Sequence, residues 1–142
     1  MIITRVDNSI DIIRKLFNSE GQTYHLMIEY DSIDSYVTDY RVISESYVTD
    51  YISNNTDRLI IKRDDMWIDL SNDYNIVLFT TALLDKSVKD KSTSLSDESI
   101  SNMLKRAVLE QLIKLSRYDI SLDLSLSLKA YVDKHLNGTD IL

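Results

Sequence analysis

A chain with no proline, and glycine only at positions 21 and 138, has few residues suited to turns that need a positive φ. Such a chain is expected to favour helices joined by polar connections. The same economy removes whole classes of chemistry. Two isolated glycines cannot build a Gly-rich phosphate loop or a dinucleotide fingerprint. Without cysteine there is no disulfide, thiolate zinc site, iron–sulfur cluster or cysteine nucleophile.

At 142 residues, with 44% hydrophobic and 27% charged residues, the chain is in the globular range. One domain of that size buries about two-thirds of its unfolded surface. The longest unbroken apolar run, Ile76 to Phe79, is far short of the roughly 20 residues of a membrane span. The N-terminus carries Arg5 and Asp7 and lacks the apolar core of a signal peptide. An intracellular protein that neither spans nor enters a membrane is expected.

The most conspicuous repetition is Ser-Tyr-Val-Thr-Asp-Tyr, at 35 to 40 and again at 46 to 51. The offset is about three turns of α-helix. With Ile33 and Ile43, the apolar residues of both copies fall on one stripe, and Val42 points away. The period predicts a Tyr-rich amphipathic helix from about Ser32 to Ser53, although Tyr, Val and Thr favour strands. The competing arrangement pairs the two copies as strands joined near Ser44 and Glu45.

Ile2 to Val6 suits a short strand, and Ser9 or Asn8 can cap a helix through Ile10, Ile13, Leu16 and Phe17 that stops at Gly21. Tyr24 to Tyr30 alternates as a strand with one face more buried. Arg58 to Arg63 and Met66 to Leu70 flank Asp64-Asp65 as a hairpin. A helix is expected from Ser71 or Asn72 through Leu84, then a polar connector over 85–96. Ser96, with Asp97 and Glu98 behind it and Lys114 and Arg117 at the far end, marks a long helix. Beyond Tyr118 the alternation of Leu reads as a strand, but Leu124, Leu128, Tyr131, Val132 and His135 also form a helical stripe, and helix is chosen. In that helix Leu122 and Leu126 lie off the stripe and need a second covering surface.

The sum is an α+β domain, mostly helical, with short strands in the N-terminal half (1–84) and a helical C-terminal half (97–138).

Formal net charge is −7, and seven acidic residues between Glu29 and Asp57 face Arg41 alone. Nucleic acid is disfavoured as a partner, since phosphates need a Lys and Arg surface, whereas a basic protein surface is the natural complement. Tyr36, Tyr40, Tyr47, Tyr51 and Trp67 are the interface candidates, with Asp39, Glu45 and Asp50 as their acidic companions. The expected function is a non-enzymatic protein–protein interaction or assembly role, by a basic partner or by self-association, with no cofactor. Abundant Ile, Asp, Ser, Asn and Tyr, which AT-rich codons produce, suit a virus-encoded accessory or virion component. The alternative is a small metal-dependent hydrolase built on Asp64, Asp65, Asp69 and Asp73, a spacing that does not match an EF-hand loop. His25 and His135 belong to different elements, and neither shares a short motif with a third ligand.

Overall fold

The computed structural model describes residues 9–18, 24–72, 74–81, 96–118 and 124–136. The expected strand at Ile2 to Val6, most of the 85–96 connector, Leu122 and Gly138 lie outside them.

Helix α1 (Ser9–Asn18) precedes β1 (Tyr24–Asp31) and β2 (Tyr36–Ser44), which form an antiparallel hairpin. Helix α2 (Glu45–Asn54) follows directly, then the hairpin β3 (Ile60–Arg63) and β4 (Met66–Asp69), and β5 (Asn75–Thr81). Helix α3 (Asp97–Leu115) and helix α4 (Leu124–Tyr131) follow, and α4 runs into a π-helical turn, Val132–Leu136. The five strands form one antiparallel sheet in the order β2-β1-β5-β4-β3. This overturns the expectation of a mostly helical chain with only short strands. The helical second half is correct in part, because helices fill the described residues beyond 96.

The repeat is neither one helix nor two paired strands. The first copy is extended in β2 from Tyr36 to Tyr40, and the identical second copy is helical in α2 throughout. What differs is the flank. Before the second copy stand Ser44, whose hydroxyl accepts from the Tyr47 backbone N–H, and Glu45 in the first turn. Before the first copy, the Asp31 side chain accepts from the backbone N–H groups of Ile33 and Asp34, an Asx turn that ends β1 and reverses the chain.

β5 corrects a second expectation. A helix is expected over Ile76 to Phe79, but the run is the strand between β1 and β4 with both faces covered, so its sequence does not alternate. β1 is likewise buried on both faces, not mainly on one.

One face of the sheet carries Leu26, Ile28, Tyr30, Val42, Met66, Ile68, Ile76 and Leu78 into the main core. There they meet Ile13 of α1, Ile100, Leu104, Val108 and Leu112 of α3, and Leu124 and Tyr131 of α4. The opposite face carries Met27, Ile43, Val77 and Phe79 against Val48 and Tyr51 of α2. Thus α2 crosses that face as it carries the chain from β2, at one edge, to β3, at the other.

Glycine is not used for the described turns that need a positive φ. Ser35, with φ 56°, and Asp64, with φ 52°, take the left-handed region instead. The expected β3–β4 hairpin therefore forms on Asp64-Asp65 without glycine.

Candidate functional site

Strand directions gather five chain segments at one end of the sheet. They are the end of β1, the start of β2, the end of β4 and the starts of β3 and β5. Four of the five large hydrophobic residues exposed among the described residues lie there: Ile33 (63% exposed), Tyr36 (38%), Leu59 (59%) and Tyr74 (64%). The fifth is Leu126 on α4, 57% exposed. Scattered exposed apolar residues need no explanation, but a set gathered on one end of a molecule does.

The loops that carry these residues are held by hydrogen bonds, most of them from backbone N–H groups to side chains. Asp31 holds the Ile33 loop, with both bonds at 2.9 Å. The backbone N–H of Ser32 donates to the Tyr74 carbonyl at 3.2 Å, and the Tyr74 N–H donates to the Asn72 side chain at 2.9 Å. The Leu59 N–H donates to the Ser71 hydroxyl at 2.5 Å. Little loop entropy is left to lose when such a surface docks.

Asp69 of β4 anchors this end from beneath, at 1% exposure. Its Oδ2 accepts from the Tyr51 hydroxyl of α2 at 2.5 Å, and its Oδ1 accepts from the Ser71 N–H at 2.9 Å. The Arg58 Nε lies 3.0 Å from Oδ2 but off the hydrogen-bond axis, so that contact is ionic. Burial, and then the bond to Asp69, hold the Tyr51 hydroxyl far above its usual pKa. Asp34 and Asp57 are exposed at this end, and Asp31 is partly so. Helix α2 also ends here with no basic residue in its last turn, which adds its own negative pole.

The structure separates the sequence candidates. Tyr36 belongs to the exposed end. Tyr51 is core, with its ring edge-on to Phe79 at 4.8 Å. Tyr40 is half-buried against Tyr131 and His135 on the opposite face of the sheet. Tyr47 is a half-buried residue of α2 packed against the second core cluster, and Trp67 carries Lys62 over its ring at 5.1 Å. Asp39 and Glu29 both receive Arg41 Nη2, at 2.7 and 3.2 Å, and the exposed Glu45 carboxylate meets the buried His25 Nε2. Asp50 alone of the three acidic companions is exposed and without such a bond among the described residues. The single Tyr-bearing acidic helix expected from the repeat does not exist. Ile33, Leu59 and Tyr74 were missed, although Ile33 and Tyr74 each sit inside a run of Asp, Ser and Asn, where an apolar residue has no core to enter.

Of the carboxylates in the hydrolase alternative, Asp64 and Asp65 share the β3–β4 turn and Asp69 lies at the other end of β4. Asp64 accepts from the Tyr118 hydroxyl, Asp65 from Lys114 Nζ at 2.5 Å, Asp69 is engaged as above, and Asp73 lies outside the described residues. Among the described residues no group of three His, Asp or Glu is placed to hold a metal ion. No helix among them is long and apolar enough to cross a membrane. No family model, curated protein or solved structure matches the chain.

Proposed function

We propose that this is an interaction or assembly protein, acting by docking and not by catalysis, whose binding surface is the apolar end of the sheet. The observation that carries the reading is the convergence of Ile33, Leu59 and Tyr74, on loops fixed by hydrogen bonds, with Tyr36 at the start of β2. The rim of Asp31, Asp34 and Asp57 sets the partner's chemistry, an apolar patch flanked by Lys or Arg. A second copy docking through the same end brings like charges together, which disfavours self-association by this route. A virion or accessory role within a cell belongs to the same proposal and rests on composition alone.

The test is affinity capture from cells expressing the protein, comparing the native chain with two double variants, Ile33→Ser/Tyr74→Ser and Asp34→Lys/Asp57→Lys. All four positions are exposed, so both variants are expected to keep the native far-ultraviolet circular dichroism. Retained protein should fall with added salt and be lost with either variant. Equal retention by the native chain and both variants overturns the proposal.

A further inference from the structure

On the other side of the sheet, the π-helical turn places the His135 ring between two clefts that share Ser101 and His135. The ring stands edge-on to Tyr40, with centroids 5.4 Å apart, and leans on Tyr131 at 4.5 Å. Tyr131 is fixed in turn by its hydroxyl, which donates to the Lys105 carbonyl at 2.8 Å. Insertions of π geometry recur at functional sites because they re-aim side chains.

The first cleft, of about 390 Å³, is lined by Ser101, Asn102, Lys105 and Arg106 on α3, with Glu98 as its carboxylate. The second, of about 440 Å³, is entered by Lys134 and bordered by the hydroxyl-bearing Ser9, Thr38 and Tyr40. Asp39 also borders it, but its charge is met by Arg41 at 2.7 Å. Among the described residues, Lys105, Arg106 and Lys134 form no ion pair. In a chain of net charge −7, three cations lining these clefts without an ion pair among the described residues outnumber Glu98, a local reversal of sign. Burial, and then Lys134 and Lys105, push His135 below its ordinary pKa.

We propose that this double cleft binds the phosphate group of a small molecule at Lys105 and Arg106, with Ser101 and Asn102 as neutral donors and Lys134 adding positive potential from the adjoining cleft. Arg and Lys together suit a dianion better than a single carboxylate. Both clefts are larger than a phosphate group, and the hydroxyl-lined one suits the polar, uncharged remainder of an ester. The inference is independent of the docking surface, which lies at the end of the sheet and shares no residue with these clefts.

The experiment titrates the full chain with inorganic phosphate and, separately, with glycerol phosphate, following Ser101 and Asn102 amides and the His135 imidazole by NMR. Saturable amide shifts and a rise in the His135 pKa are expected, because a bound anion offsets Lys134 and Lys105. Lys105→Gln/Arg106→Gln, at a half-buried and an exposed position, should weaken binding by about tenfold or more while keeping the native circular dichroism. Lys129→Gln, outside both clefts, should match the native chain. Tighter binding of the ester assigns the site to a phosphorylated metabolite, and equal binding assigns it to the free anion. Absence of saturable shifts with either probe overturns the proposal, as does equal weakening by Lys129→Gln.

Discussion

At the scale of single residues, polar groups hold the second face of the sheet together. Asp69 joins α2, β4 and the loop beside Leu59 through Tyr51, Arg58 and Ser71. Asp69→Ala strands the Tyr51 hydroxyl and the Arg58 charge, and should cost about 2–4 kcal/mol in urea unfolding. The half-buried His135 carries a pH signature. Its folded pKa lies below the ordinary 6.5, so in the interval between them the unfolded chain binds the extra proton. Stability from this group is present above pH 6.5 and is lost as pH falls through the folded value. His135→Gln should therefore flatten the acid side of a profile of melting temperature against pH. Neither role is legible in the sequence. Asp69 looks like one of four clustered carboxylates, and His135 like the polar end of a helical stripe.

At the scale of elements, what could be read was whatever a local signal decides. The Ser96 cap with its acidic first turn marks α3, alternation marks β1, and the Asp64-Asp65 pair between two apolar runs marks the β3–β4 hairpin. The misread elements are those where local signals are silent or divided. Ile76 to Phe79 is apolar on both faces of β5, and a short run of that kind is equally consistent with a buried helix. The hexapeptide carries the same residues into β2 and α2, so its conformation is decided by Ser44, Glu45 and the surrounding sheet. Ser44→Ala removes the cap of α2 and should cost about 1 kcal/mol, measured by chemical denaturation. An unchanged midpoint would mean that packing of Val48 and Tyr51 alone holds the helix.

For the whole molecule, the order β2-β1-β5-β4-β3 places β1 and β5 inside, with α2 on one face and α1, α3 and α4 on the other. Their amides should exchange with solvent most slowly, and those of edge strand β3 should exchange fastest within the sheet, in a native-state hydrogen-exchange series. Edge strand β2 is guarded differently, since the Val42 N–H donates to the Ser9 hydroxyl of α1 at 3.3 Å. On β3, Lys62 and Arg63 are exposed, charges that discourage pairing with another sheet edge. Binding functions are proposed at two places this arrangement leaves open, the loop end of the sheet and the clefts that flank His135. Of the eight residues picked from sequence, only Tyr36 lies at the loop end, because exposure depends on how distant segments meet.

The twin hexapeptides also give the protein an internal spectroscopic reference. Val37 and Val48 share the same covalent neighbours on both sides, so any difference between their carbon chemical shifts reports backbone conformation and not residue type. One pair of signals, displaced in opposite directions from the random-coil position, reads out strand and helix together. Their convergence during a titration or a temperature ramp would mark the moment at which tertiary context stops telling two identical segments apart.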